Sequence, residues 1–324
     1  MKLIVSLLIA LVILGASNAL PTYGQPLILD MRVTTFTVDP TRDLIFIASN
    51  TSVLVIHSNG TVVNNLFVSP KHLVQSIATS PKTGYIATLV HDKIQIYEPT
   101  GIVIHEIKVG KDYYGLWFDD VNDAIVTIKY VYNQNASIYY GEIKYYNYTG
   151  HLITEYGVEI YIGDLIVNPN NGDLIFNNIQ LGNPTYLVTI ANMTNVIAQA
   201  NVTKWTPNNG LAVNANNTII SSGYGIDLFN YNGTLLKHLN CTRYMTFSPQ
   251  AYQDSTGNYI AYLDMFSNND QPFIQFIDYD GNKLLSVPYT DHEKHSAEHA
   301  YFIFGKNGTI VASIDDQVKI WIQQ

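Results

Sequence analysis

Cysteine is almost absent from this sequence, since Cys241 is the single one among 324 residues. One cysteine cannot form an intrachain disulfide, and it cannot supply the several thiolates of haem-attachment and iron–sulfur motifs. Cys241 lies within Asn240-Cys241-Thr242, where a glycan could shield it. We expect a free and buried thiol, and the alternative is an intermolecular bridge. The fold must therefore be stabilised without intrachain covalent cross-links.

Charge is also scarce. Asp, Glu, Lys and Arg make up 13% of the residues, whereas about 25% is usual in globular proteins. The formal net charge is −9, and no basic run occurs anywhere in the chain. Nucleic acid and anionic lipid are therefore poor partners for this protein.

Several catalytic motifs are missing as well. The chain contains no Gly-x-Ser-x-Gly nucleophile turn, no glycine-rich phosphate loop and no His-Glu-x-x-His zinc motif. Helical periodicity, with apolar residues at i, i+3, i+4 and i+7, is absent after the first residues. The pattern that remains is that of an all-β protein.

One long apolar run lies at the N-terminus, over residues 3–15. It follows Lys2 and leads into Ala16-Ser17-Asn18-Ala19, which suits cleavage after Ala19. These features predict a signal peptide over residues 1–19 and a secreted or extracellular-surface protein. The alternative is an uncleaved anchor, but this run is shorter than the ~20 apolar residues that span a bilayer. We expect no membrane span in the mature chain.

Sequons for N-glycosylation, Asn-x-Ser/Thr with x not Pro, occur ten times. In a secreted chain they predict glycans on surface turns. The alternative is that turns rich in Asn and Thr create this pattern by chance. The acceptors are Asn50, Asn59, Asn135, Asn147, Asn192, Asn201, Asn216, Asn232, Asn240 and Asn307.

The chain repeats an apolar strand, a turn rich in Asx, Ser and Thr, and another apolar strand. Polar turns recur seven times, at residues 39–43, 80–84, 119–123, 168–172, 214–217, 254–257 and 305–308. A second apolar strand recurs as often, at residues 53–56, 94–97, 143–146, 186–190, 226–229, 274–277 and 318–322. The mean spacing is about 44 residues, which is the size of one four-stranded propeller blade.

These copies predict one β-propeller domain over residues 20–324, with seven blades of four antiparallel strands. Six blades are the alternative, because the fourth copy lacks glycine over residues 191–200. The seventh copy ends one strand short, so we expect the N-terminal segment 27–30 to complete it by pairing with residues 318–322. This pairing would leave no open sheet edge at the joint.

The turns of the Asp-Pro-x-x-Gly-x-Ile type and the strands ending Phe/Tyr-Asx-x-Asx-Gly-x-Leu resemble those of NHL, YVTN and SMP-30-like propellers. The last residues, Asp316-Gln317-Val318-Lys319-Ile320-Trp321, are similar to the third strand of a WD40 repeat. The Gly-His opening of most WD40 repeats is absent, which favours the NHL/YVTN side. The resemblance implies a propeller that binds ligands at loops around its channel, and for SMP-30-like lactonases it implies calcium in that channel.

Two groups of residues in those loops are candidate sites. Aromatic and basic residues could form a platform for a sugar or a peptide side chain, although most tyrosines of a β protein pack in its core. They are Tyr113, Tyr114, Trp205, Arg243 and Tyr244. A histidine-rich loop could hold zinc or another divalent ion, although it also suits a solvated crossover. Its ligands would be His292, His295, Glu298 and His299.

We therefore expect a secreted, N-glycosylated propeller that serves as a non-enzymatic binding or surface-scaffold module for protein or carbohydrate. No cofactor is needed for this role. The alternative is a secreted hydrolase or lactonase with a divalent metal in the central channel. Asp164, Asn208 and Asp264 lie on the channel side by topology and would be the acids and amides available to such a metal.

Overall fold

The computed structural model describes residues 22–69, 71–133, 138–158, 161–179, 186–202, 210–240, 246–253, 258–264, 273–288, 301–314 and 317–323. Within these ranges the chain is almost entirely β-strand, and its helical structure is a single 3-10 turn at Lys306–Gly308. No helix in the described part is long and apolar enough to cross a membrane. Cys241 lies outside the described residues.

The first strand, β1 (Leu27–Asp30), belongs to the last blade. Blade one contains β2 (Thr35–Asp39), β3 (Leu44–Ser49), β4 (Ser52–His57) and β5 (Val62–Phe67). Blade two contains β6 (Val74–Thr79), β7 (Ile86–Val90), β8 (Lys93–Tyr97) and β9 (Val103–Lys108). Blade three contains β10 (Tyr113–Asp119), β11 (Ala124–Asn133), β12 (Ile138–Asn147) and β13 (Leu152–Val158).

Blade four contains β14 (Tyr161–Val167), β15 (Leu174–Ile179), β16 (Tyr186–Ala191) and β17 (Val196–Asn201). Blade five contains β18 (Leu211–Val213), β19 (Ile219–Gly223), β20 (Gly225–Phe229) and β21 (Leu235–Leu239). Blade six contains β22 (Thr246–Gln253), β23 (Asn258–Asp264), β24 (Phe273–Ile277) and β25 (Lys283–Pro288). Blade seven contains β26 (Tyr301–Phe304), β27 (Ile310–Ile314), β28 (Gln317–Trp321) and β1.

The architecture confirms the predicted propeller of seven four-stranded antiparallel blades. The fourth copy forms a complete blade although the four-residue connection between β16 and β17 contains no glycine. Asn192 replaces that glycine functionally, because its side-chain oxygen accepts the backbone N–H groups of Thr194 and Asn195, each at 2.9 Å. The six-blade alternative is therefore wrong.

Blade seven is closed as the short seventh copy predicts. Strand β1 pairs with β28 in an antiparallel register in which Leu27 faces Ile320 and Asp30 faces Gln317. The pairing covers residues 317–320, so it starts one residue before the predicted segment. An isolated bridge between Tyr23 and Gln323 extends the contact. The third strand of this blade is the one that resembles a WD40 third strand in sequence.

The core lies between the blades. Seven clusters of buried apolar side chains each join two neighbouring blades, and together they form a closed ring of interblade layers. Because both faces of every blade are covered, the inner strands are apolar on both sides. All five residues of Ile86–Val90 are buried, for example. This packing explains why the sequence shows short apolar runs as well as alternating strands.

In five blades the recurrent polar turn is built by a side chain at the end of the first strand. Asp39 Oδ1 accepts the backbone N–H groups of Thr41 and Arg42 at 2.9 and 3.2 Å. Asp119 Oδ1 does the same for Val121 and Asn122 at 3.2 and 3.1 Å. Asn168, Asn214 and Ser80 take the equivalent role in three other blades. The Asx-rich turns of the sequence are therefore folding signals with a defined geometry.

Candidate binding face and central channel

The antiparallel blades give the ring two different ends. The hairpins that join the first to the second strand, and the third to the fourth, leave at one end, which we call the turn face. The connections from the second to the third strand, and from one blade to the next, leave at the other end, which we call the loop face. Tyr113 and Tyr114, the described residues of the predicted aromatic platform, lie at the start of β10 and therefore adjoin the loop face.

Polar contacts tie neighbouring blades together on the turn face. Lys82 Nζ in blade two lies 2.7 Å from Asp123 Oδ1 in blade three. Asn170 Nδ2 in blade four donates to Asn217 Oδ1 in blade five at 2.8 Å. A third contact runs from Thr79 Oγ1 in blade two to the carbonyl of Val38 in blade one, at 2.9 Å. These contacts connect neighbouring blades at this end of the ring.

The central channel is lined by the first strand of every blade and contains a cavity of about 450 Å³. Its polar lining groups include the hydroxyls of Thr37, Ser76 and Thr79 and the amide of Gln250, and Trp117 contributes the largest side chain. None of the described residues that line it is Asp, Glu or His. The described lining therefore offers hydroxyl, amide and apolar groups to a ligand.

No group of three or more His, Cys, Asp or Glu that could hold a metal occurs among the described residues. The four predicted ligands, His292, His295, Glu298 and His299, lie outside the described residues. The metal prediction therefore stays a prediction.

Asp164, one of the acids predicted on the channel side, belongs to β14, the first strand of blade four. It lies in an irregular part of β14 between Ile162 and Leu165. Its carboxylate accepts the backbone N–H of Leu165 at 2.9 Å and that of Leu211 at 3.0 Å, so it links the first strands of blades four and five. Burial raises the pKa of Asp164 to about 6, although both hydrogen bonds act in the opposite direction. Asp164 therefore has a structural role and titrates in a mildly acidic range.

Two neighbouring tyrosines of the predicted platform differ in exposure. Tyr113 is 1% exposed and packs in the core layer between blades two and three. The ammonium groups of Lys129 and Lys144 each lie 5.8 Å from the centre of its ring. Tyr113 therefore offers no ring surface to a ligand on the loop face, because successive side chains of a strand point to opposite sides.

Tyr114 remains a candidate contact residue. It is 50% exposed, and its ring centre lies 5.4 Å from that of Tyr130 on the next strand. Tyr130 is fixed by a hydrogen bond from its hydroxyl to the carbonyl of Ile162 in blade four. Tyr114 therefore offers an exposed ring supported by the partly buried Tyr130. The other predicted platform residues, Trp205, Arg243 and Tyr244, lie outside the described residues.

Nine of the ten sequon asparagines are described, and none of them is buried. Six lie in turn-face hairpins, namely Asn59, Asn147, Asn192, Asn216, Asn232 and Asn307. Three lie at loop-face connections, namely Asn50, Asn201 and Asn240. Asn135 is outside the described residues. The potential acceptors are therefore concentrated on the face opposite Tyr114.

Several of these sequons also have a local structural role. In Asn147-Tyr148-Thr149, the asparagine Oδ1 accepts from the threonine hydroxyl at 2.8 Å and from its backbone N–H at 3.1 Å. The same arrangement recurs at Asn232 and Thr234, with a hydroxyl contact of 2.8 Å. Because these hydrogen bonds use Oδ1 only, the amide nitrogen remains available to carry a glycan. Turn chemistry and glycosylation are therefore compatible at these positions.

Sequence reasoning missed a chain of polar residues at the outer side of blade five. Asp227 is almost fully buried, and its Oδ1 lies 2.6 Å from His238 Nδ1. His238 Nε2 lies 2.9 Å from Asn240 Oδ1, in the sequon that contains Cys241. Aligning the third and fourth strands of the repeats would have placed Asp227 and His238 opposite each other. Apart from that alignment, no pattern in these short strands marks the two residues as a pair.

Two solved structures are similar to this chain over nearly its whole length. The WD40 β-propeller domain of Doa1 has a TM-score of 0.68 and 13% sequence identity, and the match covers 93% of this chain and 97% of that one. The β-propeller domain of Cps50 (Swd1) from Myceliophteria thermophila has a TM-score of 0.65 and 10% identity, with 93% and 99% covered. The fold is a seven-bladed propeller like that of WD40 domains.

The likeness to WD40 domains over nearly the whole chain is found by comparison of structures. No protein-family model matches the sequence, and no curated protein matches it either. The predicted resemblance to NHL, YVTN or SMP-30-like propellers is not confirmed, and the two solved structures named above are WD40-type propellers. At 10–13% identity this likeness concerns the fold.

Proposed function

We propose that this protein is a secreted, N-glycosylated propeller that binds a protein or carbohydrate partner through its loop face, without catalysing a reaction. The observation that supports this proposal best is the one-sided distribution of sequons. Six of the nine described acceptors lie on the turn face, whereas the exposed Tyr114–Tyr130 pair adjoins the loop face. Glycans on the turn face would leave the loop face as the open contact surface.

The chemistry of the described residues is consistent with a binding role. The channel lining offers hydroxyl, amide and apolar groups, and an exposed tyrosine can stack on a sugar or on a partner side chain at little entropic cost. The sequence adds the predicted signal peptide over residues 1–19, which is the basis for placing the mature chain outside the cell.

Mass spectrometry of the protein purified from its native host tests the first half of the proposal. We expect a mature N-terminus at Leu20 and glycans on turn-face acceptors such as Asn59 and Asn232. Enzymatic deglycosylation should shift their peptide masses. A chain that keeps residues 1–19 or has no glycan on any acceptor would contradict secretion with glycosylation.

Cross-linking on the native cell surface, combined with a glycan array, tests the second half. A partner captured through the loop face should be lost when Tyr114 is replaced by Ala and retained when a turn-face residue such as Lys306 is replaced. The two assays also separate a protein partner from a carbohydrate. A stoichiometric divalent ion in the purified protein, lost on replacing His295 and His299 together with a hydrolytic activity, would overturn the non-enzymatic proposal.

A further inference from the structure

A polar pair recurs at one position in most blades, between the middle of the third strand and the fourth strand. In each case the two residues are register partners. Five blades contain a bonded pair: Gln95–Glu106 at 3.3 Å, Lys144–Glu155 at 3.2 Å, Thr189–Gln199 at 3.1 Å, Asp227–His238 at 2.6 Å and Gln275–Ser286 at 2.7 Å. The fold thus provides a partner for the polar group of the third strand.

Lys319 occupies the same position in blade seven, but its register partner is the apolar residue Ile28. The difference arises because the N-terminal segment supplies the fourth strand of this blade. Lys319 is 5% exposed, and its ammonium has neither an ion pair nor a hydrogen bond with any described residue. Lys144, in contrast, lies 3.1 Å from Glu142 and 3.2 Å from Glu155.

A largely buried ammonium loses most of its hydration, and without a partner it gains no compensating attraction. An anion that came close to Lys319 would supply that attraction. The described part of the fold does not provide such an anion, whereas a cleft beside Lys319 leaves space for an external one.

A cleft of about 470 Å³ lies beside Lys319, between the fourth strand of blade six and the closing blade. We call it the seam cleft. Its main walls are Leu285 and Val287 of β25, Trp321 of β28, and Tyr23 and Pro26 of the N-terminal segment, with Lys319 as the charged group. None of the described residues that line it is acidic. Its volume falls in the range of about 300–1,000 Å³ that is usual for small-molecule sites.

We propose that the seam cleft binds a small carboxylic acid with an apolar body, whose carboxylate pairs with the Lys319 ammonium. A single ammonium suits a singly charged carboxylate better than a phosphate, which is usually held by several donors or by an arginine fork. The aliphatic and aromatic walls suit an alkyl or aryl chain. The ligand would touch both blade six and the N-terminal segment, so it would also stabilise the closure of the ring. This site is independent of the function proposed for the loop face.

Isothermal titration of the mature chain with octanoate tests the charge and the apolar body together. We expect one octanoate per chain, and affinity at least about tenfold lower in Lys319→Met. 1-Octanol, which has the same body without the charge, should bind both proteins equally. Lys306→Met, which removes an exposed lysine on the turn face, should bind octanoate like the unmodified protein. Absence of octanoate binding, or equal binding to Lys319→Met, would overturn the proposal.

A measurement without ligand keeps the proposal testable if the variant changes the fold. Lys319→Met should have a midpoint of urea unfolding equal to or higher than that of the unmodified protein, because it removes a largely buried charge that pairs with no described residue. Lys144→Met should have a lower midpoint, because it leaves Glu142 and Glu155 without their cation. A drop in Lys319→Met as large as that in Lys144→Met would show that an acidic group of the chain itself pairs with Lys319, which contradicts the proposed site.

Discussion

Leu29 in β1 lies directly opposite Val318 in β28, and both side chains pack in the core layer between blades seven and one. Residues from the two ends of the described chain therefore belong to one sheet. The closure depends on a ladder of hydrogen bonds and on apolar packing. Without β1, strand β28 would be an open edge available for pairing with another molecule.

The register of this closure can be tested by an engineered disulfide between Asp30→Cys and Gln317→Cys in a Cys241→Ser background. These positions are register partners, and opposite Cα atoms in an antiparallel pair lie about 4.5–5.5 Å apart, within the range of about 4.4–6.8 Å that a disulfide spans. We expect complete oxidation and an increase in stability of roughly 2–4 kcal/mol. Loss of free thiol and urea unfolding measure the two effects.

A second cysteine pair, Pro26→Cys with Gln317→Cys, is the matched control for this register. It is four residues out of register, which corresponds to about 13 Å along a strand. It should remain reduced under the same conditions. Equal oxidation of both pairs would contradict the fixed register.

Asp164→Asn should remove part of the pH dependence of stability. The pKa of Asp164 is raised from 3.8 to about 6 in the folded protein. The folded state therefore holds its proton more tightly, and this carboxyl lowers the free energy of unfolding as pH rises from about 4 to about 6. Above that range the loss is at most roughly 3 kcal/mol. Asp164→Asn should abolish this loss, as measured by urea unfolding at pH 4 and pH 7.

Asp112→Asn, at an exposed position, is the control for Asp164→Asn and should leave the pH profile of the parent protein unchanged. If Asp164→Asn shows the same decline in unfolding free energy between pH 4 and pH 7 as the parent, the raised pKa of Asp164 is wrong.

Gly225→Ala should destabilise the protein more than Gly110→Ala. Gly225 has φ +112°, and a Cβ there would lie 2.6 Å from the carbonyl oxygen of Leu239. Gly110 has φ +94°, but a Cβ there would meet nothing within 4 Å. We expect a loss of about 1–2 kcal/mol for Gly110→Ala from backbone strain alone, and about 3 kcal/mol or more for Gly225→Ala because the clash adds to it. Equal losses in urea unfolding would show that β20 and β21 can separate at no cost.

Replacing each of the two neighbouring tyrosines by Ala should give opposite results. Tyr113→Ala removes a fully buried ring and should reduce the free energy of unfolding by about 3–5 kcal/mol. Tyr114→Ala, at a half-exposed position, should cost less than about 1 kcal/mol and reduce binding of a loop-face partner. Chemical denaturation and partner capture measure the two effects. A stable Tyr113→Ala, or a Tyr114→Ala that binds normally, would contradict this division.

Local chemistry made much of the fold predictable. Asp39 and Asp119 mark turns because an Asx side chain accepts the backbone N–H groups that follow it, and this depends on neighbours in sequence. The seven copies could be counted because each contains such a turn, and the count showed that the last copy is one strand short. The pairing of residues 27–30 with the last strand followed from the need to cover an edge.

The candidate site was much less predictable. Tyr113 and Tyr114 are adjacent and chemically identical, yet one is buried and the other exposed, because strand alternation and the neighbouring blade decide which side is covered. His238 and Asp227 form a close pair although no motif marks them. The sequence identified residue types that can bind, whereas packing selected which of them are available.

By itself the sequence determined the repeat, the turn chemistry and the number of blades, because these depend on contacts between residues close together in the chain. Only the tertiary structure decided whether each of two similar lysines has an acidic partner. Lys144 faces Glu155 within one continuous blade, whereas Lys319 faces Ile28, which comes from the other end of the chain. Whether a buried charge is paired depends on which strand lies beside it, and ring closure brings that strand from the far end of the chain.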